Sequence, residues 1–189
     1  MDLIGAIEIF ATLTGVAYVV LEILQKNAMW VVGILTGAAC AYSFAVQHLW
    51  ASMGLNIYYV GMSVWGIIQW KKDSAASGGA LHLGTLTRGV ILWSAVLTLA
   101  GCALLTWILG LAMDSFPLHD AAVTMLSVTA TVWLVRSYPA QWLLWIAVDS
   151  LSAWLCLRSG MPWMGVLYIV YAASAVYGWI HWKKHGIYV

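Results

Sequence analysis

Residues 65–72 read WGIIQWKK, and residues 177–184 read YGWIHWKK. The two stretches stand 112 positions apart. Slid by that offset, residues 28–72 fall on 140–184 without a gap, and 13 of the 45 pairs are identical. The identities include Trp30/Trp142, Ile34/Ile146, Tyr59/Tyr171, Gly66/Gly178, Trp70/Trp182 and both lysine pairs. The same offset reaches further back, where Glu8 meets Asp120, Thr12 meets Thr124, Val16 meets Val128 and Val20 meets Val132. An apolar composition by itself yields only a handful of such matches, so the chain reads as one three-helix unit written twice.

The composition says where such a chain lives. Of its 189 residues 63% are hydrophobic and 8% charged, and the mean hydropathy is +0.90. A soluble domain carries about 25% charged residues, so this chain cannot cover itself with polar groups and is expected in the lipid bilayer. The net charge of +1 and the lack of a basic tail give no sign of nucleic acid as a partner. The opening MDLIGAIEIF has no basic n-region, which argues against a cleavable signal peptide. Cys40, Cys102 and Cys156 make no CxxC and read as small packing residues.

A membrane-crossing helix needs about 20 apolar residues. Seven candidates run near Leu3–Leu24, Ala28–Val46, Met53–Trp70, Val90–Met113, His119–Val135, Pro139–Leu157 and Pro162–Trp182. The polar stretch KKDSAASGGALHLGTLTR separates the third from the fourth. The fold expected is an all-α membrane protein of seven transmembrane helices. Residues 1–72 form the first three-helix repeat, 73–113 a polar loop and linker helix, and 114–189 the second repeat. Spans 1 and 5 then cross in the same direction, so the repeats are parallel and related by an axis along the membrane normal. Seven of the eight basic residues (Lys26, Lys71, Lys72, Arg88, Arg136, Lys183, Lys184) fall on one side and only Arg158 on the other. The positive-inside rule places the N-terminus outside and the C-terminus in the cytoplasm.

Polar side chains in a membrane span are expensive, about 3 kcal/mol for a central carboxylate, so each asks for a reason. Trp142, Trp145 and Asp149 share one helical face at i, i+3, i+7, with Ser152 extending it. Two indoles and a carboxylate suit a flat cationic ring, through stacking and cation–π attraction. The competing roles are interface anchor for Trp142 and a hydroxyl-paired acid for Asp149. In the third span Asn56, Tyr59 and Ser63 share a face and can hydrogen-bond an amide or sugar hydroxyl, while Tyr58 reads as packing. The repeat places Tyr168 and Tyr171 in the seventh span, with Tyr171 opposite Tyr59. In the fifth span Thr124, Ser127 and Thr131 line one face, where helix packing competes with ligand contact. Gly33 and Gly37 have the spacing of close-packed helices. Glu8, Glu22 and Asp120 lie toward span ends, where solvent or helix termini can satisfy them. Trp70, Trp179 and Trp182 beside lysines read as interfacial anchors. No P-loop, no HExxH and no haem-like histidine pair is present, so neither an enzyme nor a bound metal or cofactor is expected.

The runs QHLWASMGLNIYYVGMSVWGIIQW, FPLHDAAVTMLSVTATVWLVR and QWLLWIAVDSLSAW together resemble the PnuC family of bacterial vitamin transporters. The likeness extends from EIFATLTGVAYVVLEILQKN to the final WIHWKK. Its most specific part is Trp142, Trp145 and Asp149, preceded by Asp120 and Arg136. It implies a SWEET-like fold, two three-helix bundles joined by a linker helix, in the bacterial inner membrane. It also implies facilitated diffusion of an unphosphorylated vitamin, typically nicotinamide riboside, with thiamine or riboflavin carried by similar proteins. A cytoplasmic kinase would trap the product, and a trimer is implied in the same way. Departures are Ser52 where an acid is frequent, Thr131 where a Gln is frequent, and Met29 near a usual second Trp; some members carry a further N-terminal helix. These leave the vitamin open, because nicotinamide riboside and thiamine both carry a cationic aromatic ring. The reading from another class is a non-transporting membrane subunit that binds a partner or haem. The ligand contacts are expected where the two copies differ: Asn56 against Tyr168, Gly33 against Trp145, Gly37 against Asp149.

Overall fold

A computed structural model describes residues 3–46, 50–78, 80–111, 116–158, 160 and 162–188, with the side chains of 3–9, 11, 12, 50–52 and 163 left aside. Glu8, Thr12, Ser52 and Met113, all used in the sequence reading, therefore lie outside the described side chains. Seven helices follow in order: α1 (Leu3–Ile23), α2 (Ala28–Val46), α3 (Trp50–Ala76), α4 (Arg88–Leu111), α5 (Pro117–Val135), α6 (Gln141–Arg158) and α7 (Pro162–His185). Two short strands, β1 (His82–Leu83) and β2 (Ile187–Tyr188), pair with each other. An apolar chain in lipid must satisfy its backbone within each segment, and helices do so. Four of the described helices, α2, α4, α5 and most of α7, are long and apolar enough to cross a membrane. The less apolar α3 and α6 are the helices that carry Asn56, Tyr59, Ser63, Trp145 and Asp149.

The helices break where the backbone is forced to. Pro117 and Pro162 open α5 and α7, where a missing N–H is not needed. At the end of α1, Gln25 adopts φ 49°. There Lys26 N–H donates to Leu21 O (2.8 Å) and Gln25 N–H to Glu22 O (2.9 Å), the paired bonds of a Schellman cap. At the end of α5, Ser137 adopts φ 54°. Tyr138 N–H donates to Trp133 O (2.9 Å) and Ser137 N–H to Leu134 O (2.9 Å). The next helix starts alike in both places, with Trp30 N–H on Asn27 O and Trp142 N–H on Pro139 O. Each of these residues has its counterpart 112 positions on, so the repeat written in the sequence is also a repeat of local structure.

α3 runs six residues past the expected Trp70, because Lys71–Ala76 are adequate helix formers. Gln69 Nε2 also braces that turn through a 3.0 Å bond to Asp73 Oδ1. The first third of the expected polar stretch is thus helix. α7 likewise continues to His185.

The chain divides into two compact units, one running to His82 and taking in His185–Ile187, the other Leu83–Lys184. In the first, α2 packs on α1 and α3. The fully buried Trp30 lies across Gly66, so close that a Cβ on Gly66 would overlap its ring. Trp70 meets Trp30 edge-on at 5.0 Å and 78°. The Gln25 side chain acts there as a strand residue, with Nε2 donating to His82 O and Oε1 accepting from His82 N–H, both at 2.7 Å. In the second unit, α5 packs on α4 and α6, helped by a Thr98–Thr129 hydroxyl bond of 2.6 Å and by Trp133 Nε1 donating to Ser94 Oγ at 3.0 Å. Trp142 lies across Gly178, and Trp182 meets it edge-on at 5.5 Å and 87°. Gly84 N–H donates to Ser137 O (3.0 Å), and a Cβ on Gly84 would run into Arg136 O.

Two predictions follow from this packing. Gly66→Ala and Gly178→Ala each force an indole aside and should lower stability by about 1–3 kcal/mol. Gly54→Ala and Gly61→Ala, with open space at the Cβ, should melt like wild type in detergent; equal melting of all four would refute the indole-on-glycine packing. The second concerns His82, whose ring burial pushes its pKa below the ordinary 6.5, with Asp73 opposing in lesser measure. The unfolded chain then takes up the proton more readily, so stability is full above pH 6.5 and is lost as pH falls through 6.5 toward the lower folded-state value. His82→Gln should flatten that part of the stability–pH curve, and an unchanged slope would show that other groups set it.

Candidate functional site

In the second unit α6 and α7 bring four of the expected residues together, Trp145, Asp149, Tyr168 and Tyr171. Asp149 is 8% exposed, and among the described residues no hydrogen-bond donor meets its carboxylate. It lies within electrostatic reach of the Tyr168 and Tyr171 hydroxyls. Those two rings stand edge to face at 6.3 Å and 77°. One turn back on α6, Trp145 is half-buried, and its indole N–H is buried without a partner among the described residues. The result is an acid, two phenols and an indole donor on adjoining helices, a set able to stack on, and charge-pair with, a cationic aromatic group.

Trp142 sits on the same face in projection but elsewhere in packing. It is 2% exposed and occupied with Gly178 and Trp182, as Trp30 is with Gly66 and Trp70. On α5, Thr131 Oγ1 donates to Ser127 O and Ser127 Oγ to Val123 O, each at 2.8 Å, so both hydroxyl hydrogens are held by their own helix. Thr124 is half-buried. His119 is held through Nε2 by Leu151 O (3.0 Å) and lies 5.9 Å from the Trp154 ring. Among the described residues no three His, Cys, Asp or Glu gather as metal ligands.

In the first unit Asn56 and Tyr59 are half-buried on α3, and Ser63 is 3% exposed, its Oγ donating to Tyr59 O at 2.8 Å. Beside them stand two residues of α1, Tyr18, which sequence reasoning passed over, and Glu22, which it left at a span end. Tyr18 lies within electrostatic reach of Tyr59 and of Glu22. Glu22 was expected to be satisfied near solvent or a helix end, but it is 4% exposed, because this face of α1 turns into the unit. The signal available was their spacing: a Tyr and an acid one helical turn apart in an apolar helix.

Comparison with known proteins gives a consistent answer. A family model described as "Nicotinamide mononucleotide transporter" matches residues 5–184. The nicotinamide riboside transporter PnuC of Neisseria mucosa is 26% identical over 187 residues, covering 92% of this chain and 70% of its own. PnuC of Escherichia coli is 23% identical over 201 residues, covering 93% and 84%. The riboflavin/roseoflavin transporter RibM of Streptomyces davaonensis is 27% identical over 158 residues, covering 81% and 73%. Among solved structures, the crystal structure of the vitamin B3 transporter PnuC superposes with a TM-score of 0.68 at 24% identity, over 96% of this chain and 87% of that one.

An unpartnered buried acid is a burden on the empty protein. Asp149→Asn should therefore raise the ligand-free melting point, by on the order of 1 kcal/mol of stability, whereas Trp142→Ala should lower stability by about 3–5 kcal/mol. A destabilised Asp149→Asn would mean that the carboxylate holds the fold together rather than awaiting a ligand.

Proposed function

This chain belongs to the nicotinamide mononucleotide transporter family, the family of PnuC, and on that premise we propose that it carries nicotinamide riboside across the bacterial inner membrane by facilitated diffusion. The supporting observation is the buried Asp149, which no hydrogen-bond donor meets among the described residues, beside Tyr168, Tyr171 and the indole N–H of Trp145, which has no partner among them. A permanent pyridinium charge on an aromatic ring is the ligand that such a set suits best. The ribose hydroxyls suit the polar side chains of each unit taken by itself: Thr124 and Thr131 beside this set in the second, and Asn56, Tyr59 and Ser63 in the first. We assign Trp142 to the scaffold, since its ring is committed to Gly178.

In this reading the two three-helix repeats, joined through α4, expose the site to either side in turn. The lysine-rich ends, Lys71–Lys72 and Lys183–Lys184, mark the cytoplasmic side, leaving the N-terminus outside. No energy source is used. Phosphorylation inside the cell keeps the product from leaving, and the chain works as a homo-oligomer. Riboflavin is the second reading, favoured by the match to RibM, but its neutral ring has no use for Asp149. Thiamine, a cation, is the third.

Labelled nicotinamide riboside should enter liposomes containing the pure protein until inside and outside concentrations match, with no imposed ion gradient. Trp145→Ala and Asn56→Ala should each weaken binding by about tenfold in calorimetry. Uptake no faster than into empty liposomes, or uptake of riboflavin alone, would overturn the assignment; uptake only under an ion gradient would overturn passive diffusion.

A further inference from the structure

α6 and α7 meet near both ends, and those contacts fix the register between them. At one end Trp142 lies across Gly178; at the other, a Cβ on Gly165 would lie 2.7 Å from Leu157 Cδ2 and 3.5 Å from Ala153 O. The two helices are therefore antiparallel, and each residue forward on α6 is one back on α7. Counted inward from either end, the register is the same: Trp145 stands level with Ala175, Asp149 with Tyr171 and Ser152 with Tyr168. Asp149 is seven residues from Trp142 and Tyr171 seven from Gly178, so this pair lies on the faces that meet. Ser152 and Tyr168 follow three residues on, beside them.

Ser152 carries a hydroxyl that its own helix leaves unused. The residue is 8% exposed, and it has no hydrogen-bond partner among the described residues. Elsewhere the protein ties such hydroxyls down: Ser63, Ser127, Thr131 and Ser174 each donate to the carbonyl one turn back at 2.8 Å. The position 112 residues earlier holds Cys40, a thiol of similar size with little need of a partner. A buried hydroxyl without a partner is costly to the empty protein, and a ligand hydroxyl removes that cost. Level with Ser152, the half-buried Tyr168 brings a second hydroxyl.

We propose that Ser152 is a specificity-determining residue that contacts the ligand: with Tyr168 it reads a sugar hydroxyl one helical turn beyond Asp149, about 4.5 Å along the axis. The ligand then lies along α6, its charged ring between Trp145 and Asp149 and its ribose toward Ser152. The inference rests on the substrate class assigned above, a cationic ring that carries a sugar.

The test is calorimetry on wild type, Ser152→Ala and Ser152→Cys, the last keeping the side-chain volume. The ligands are nicotinamide riboside and the three ribosides that each lack one of its sugar hydroxyls. Both variants should bind nicotinamide riboside about five- to tenfold more weakly than wild type does. For one of the three deoxy ligands, the one without the contacted hydroxyl, the loss should be less than about twofold, because the partner is already gone. Unchanged binding of nicotinamide riboside overturns this inference alone, and so does an equal loss for all four ligands, the mark of a packing defect. If Ser152→Ala fails to fold, Ser152→Cys decides by the same criteria. A wild type that binds none of the four overturns the substrate assignment and the inference together.

Discussion

An indole lying flat on a glycine holds each unit of this protein together. In lipid, helices gain little from hiding apolar surface, because the solvent is as apolar as they are; close contact has to hold them. Gly66 and Gly178 permit that contact, and Trp30 and Trp142 fill it with a large rigid surface. Trp70 and Trp182 then close the edge. The tight turns at Gln25 and Ser137 deliver each indole to its glycine, so cap, helix start and ring contact form one continuous device in both copies.

The variation between copies is systematic. Where the first has Tyr18 over Gly33, the second has Ala130 and Trp145 at the matching places. Where the first has Val60 against Gly37, the second has Ala172 and Asp149. Large and small trade places across each pair, which is how a packed interior changes its surface without changing its volume. The second unit thereby gains an indole and an acid on α6, and the first gains a phenol on α1. One scaffold presents two different chemical faces.

Much of this was legible from the residues. Helix number and most boundaries follow from apolar length, and the 112-residue offset carries the duplication in the sequence itself. Helical spacing put Trp145 and Asp149 on one face, and the repeat placed Tyr168 and Tyr171 in the seventh span. Trp142 misled because projection onto a wheel ignores what stands opposite, and opposite it stands a glycine. Tyr18 escaped because its counterpart Ala130 is apolar, so the repeat drew no attention to it, and Glu22 was read at a span end although it is buried. The caps escaped because the left-handed residue in each is Gln25 or Ser137, where glycine is the usual sign. The helical extension of α3 beyond Trp70 escaped because a polar sequence at a membrane border does not by itself distinguish loop from helix.

The paired indole clusters also divide the molecule's light emission. Of its 13 tryptophans, Trp30, Trp70, Trp142 and Trp182 are enclosed almost completely, and Trp93, Trp107 and Trp154 look outward. The enclosed four supply a steady, blue-shifted background that reports only whether the bundles are intact. Trp145 is half-covered, and its N–H has no partner among the described residues; on the function proposed above, its emission shifts when the substrate binds. A single protein thus carries an internal standard and a probe of the same chromophore, separable by excising one side chain.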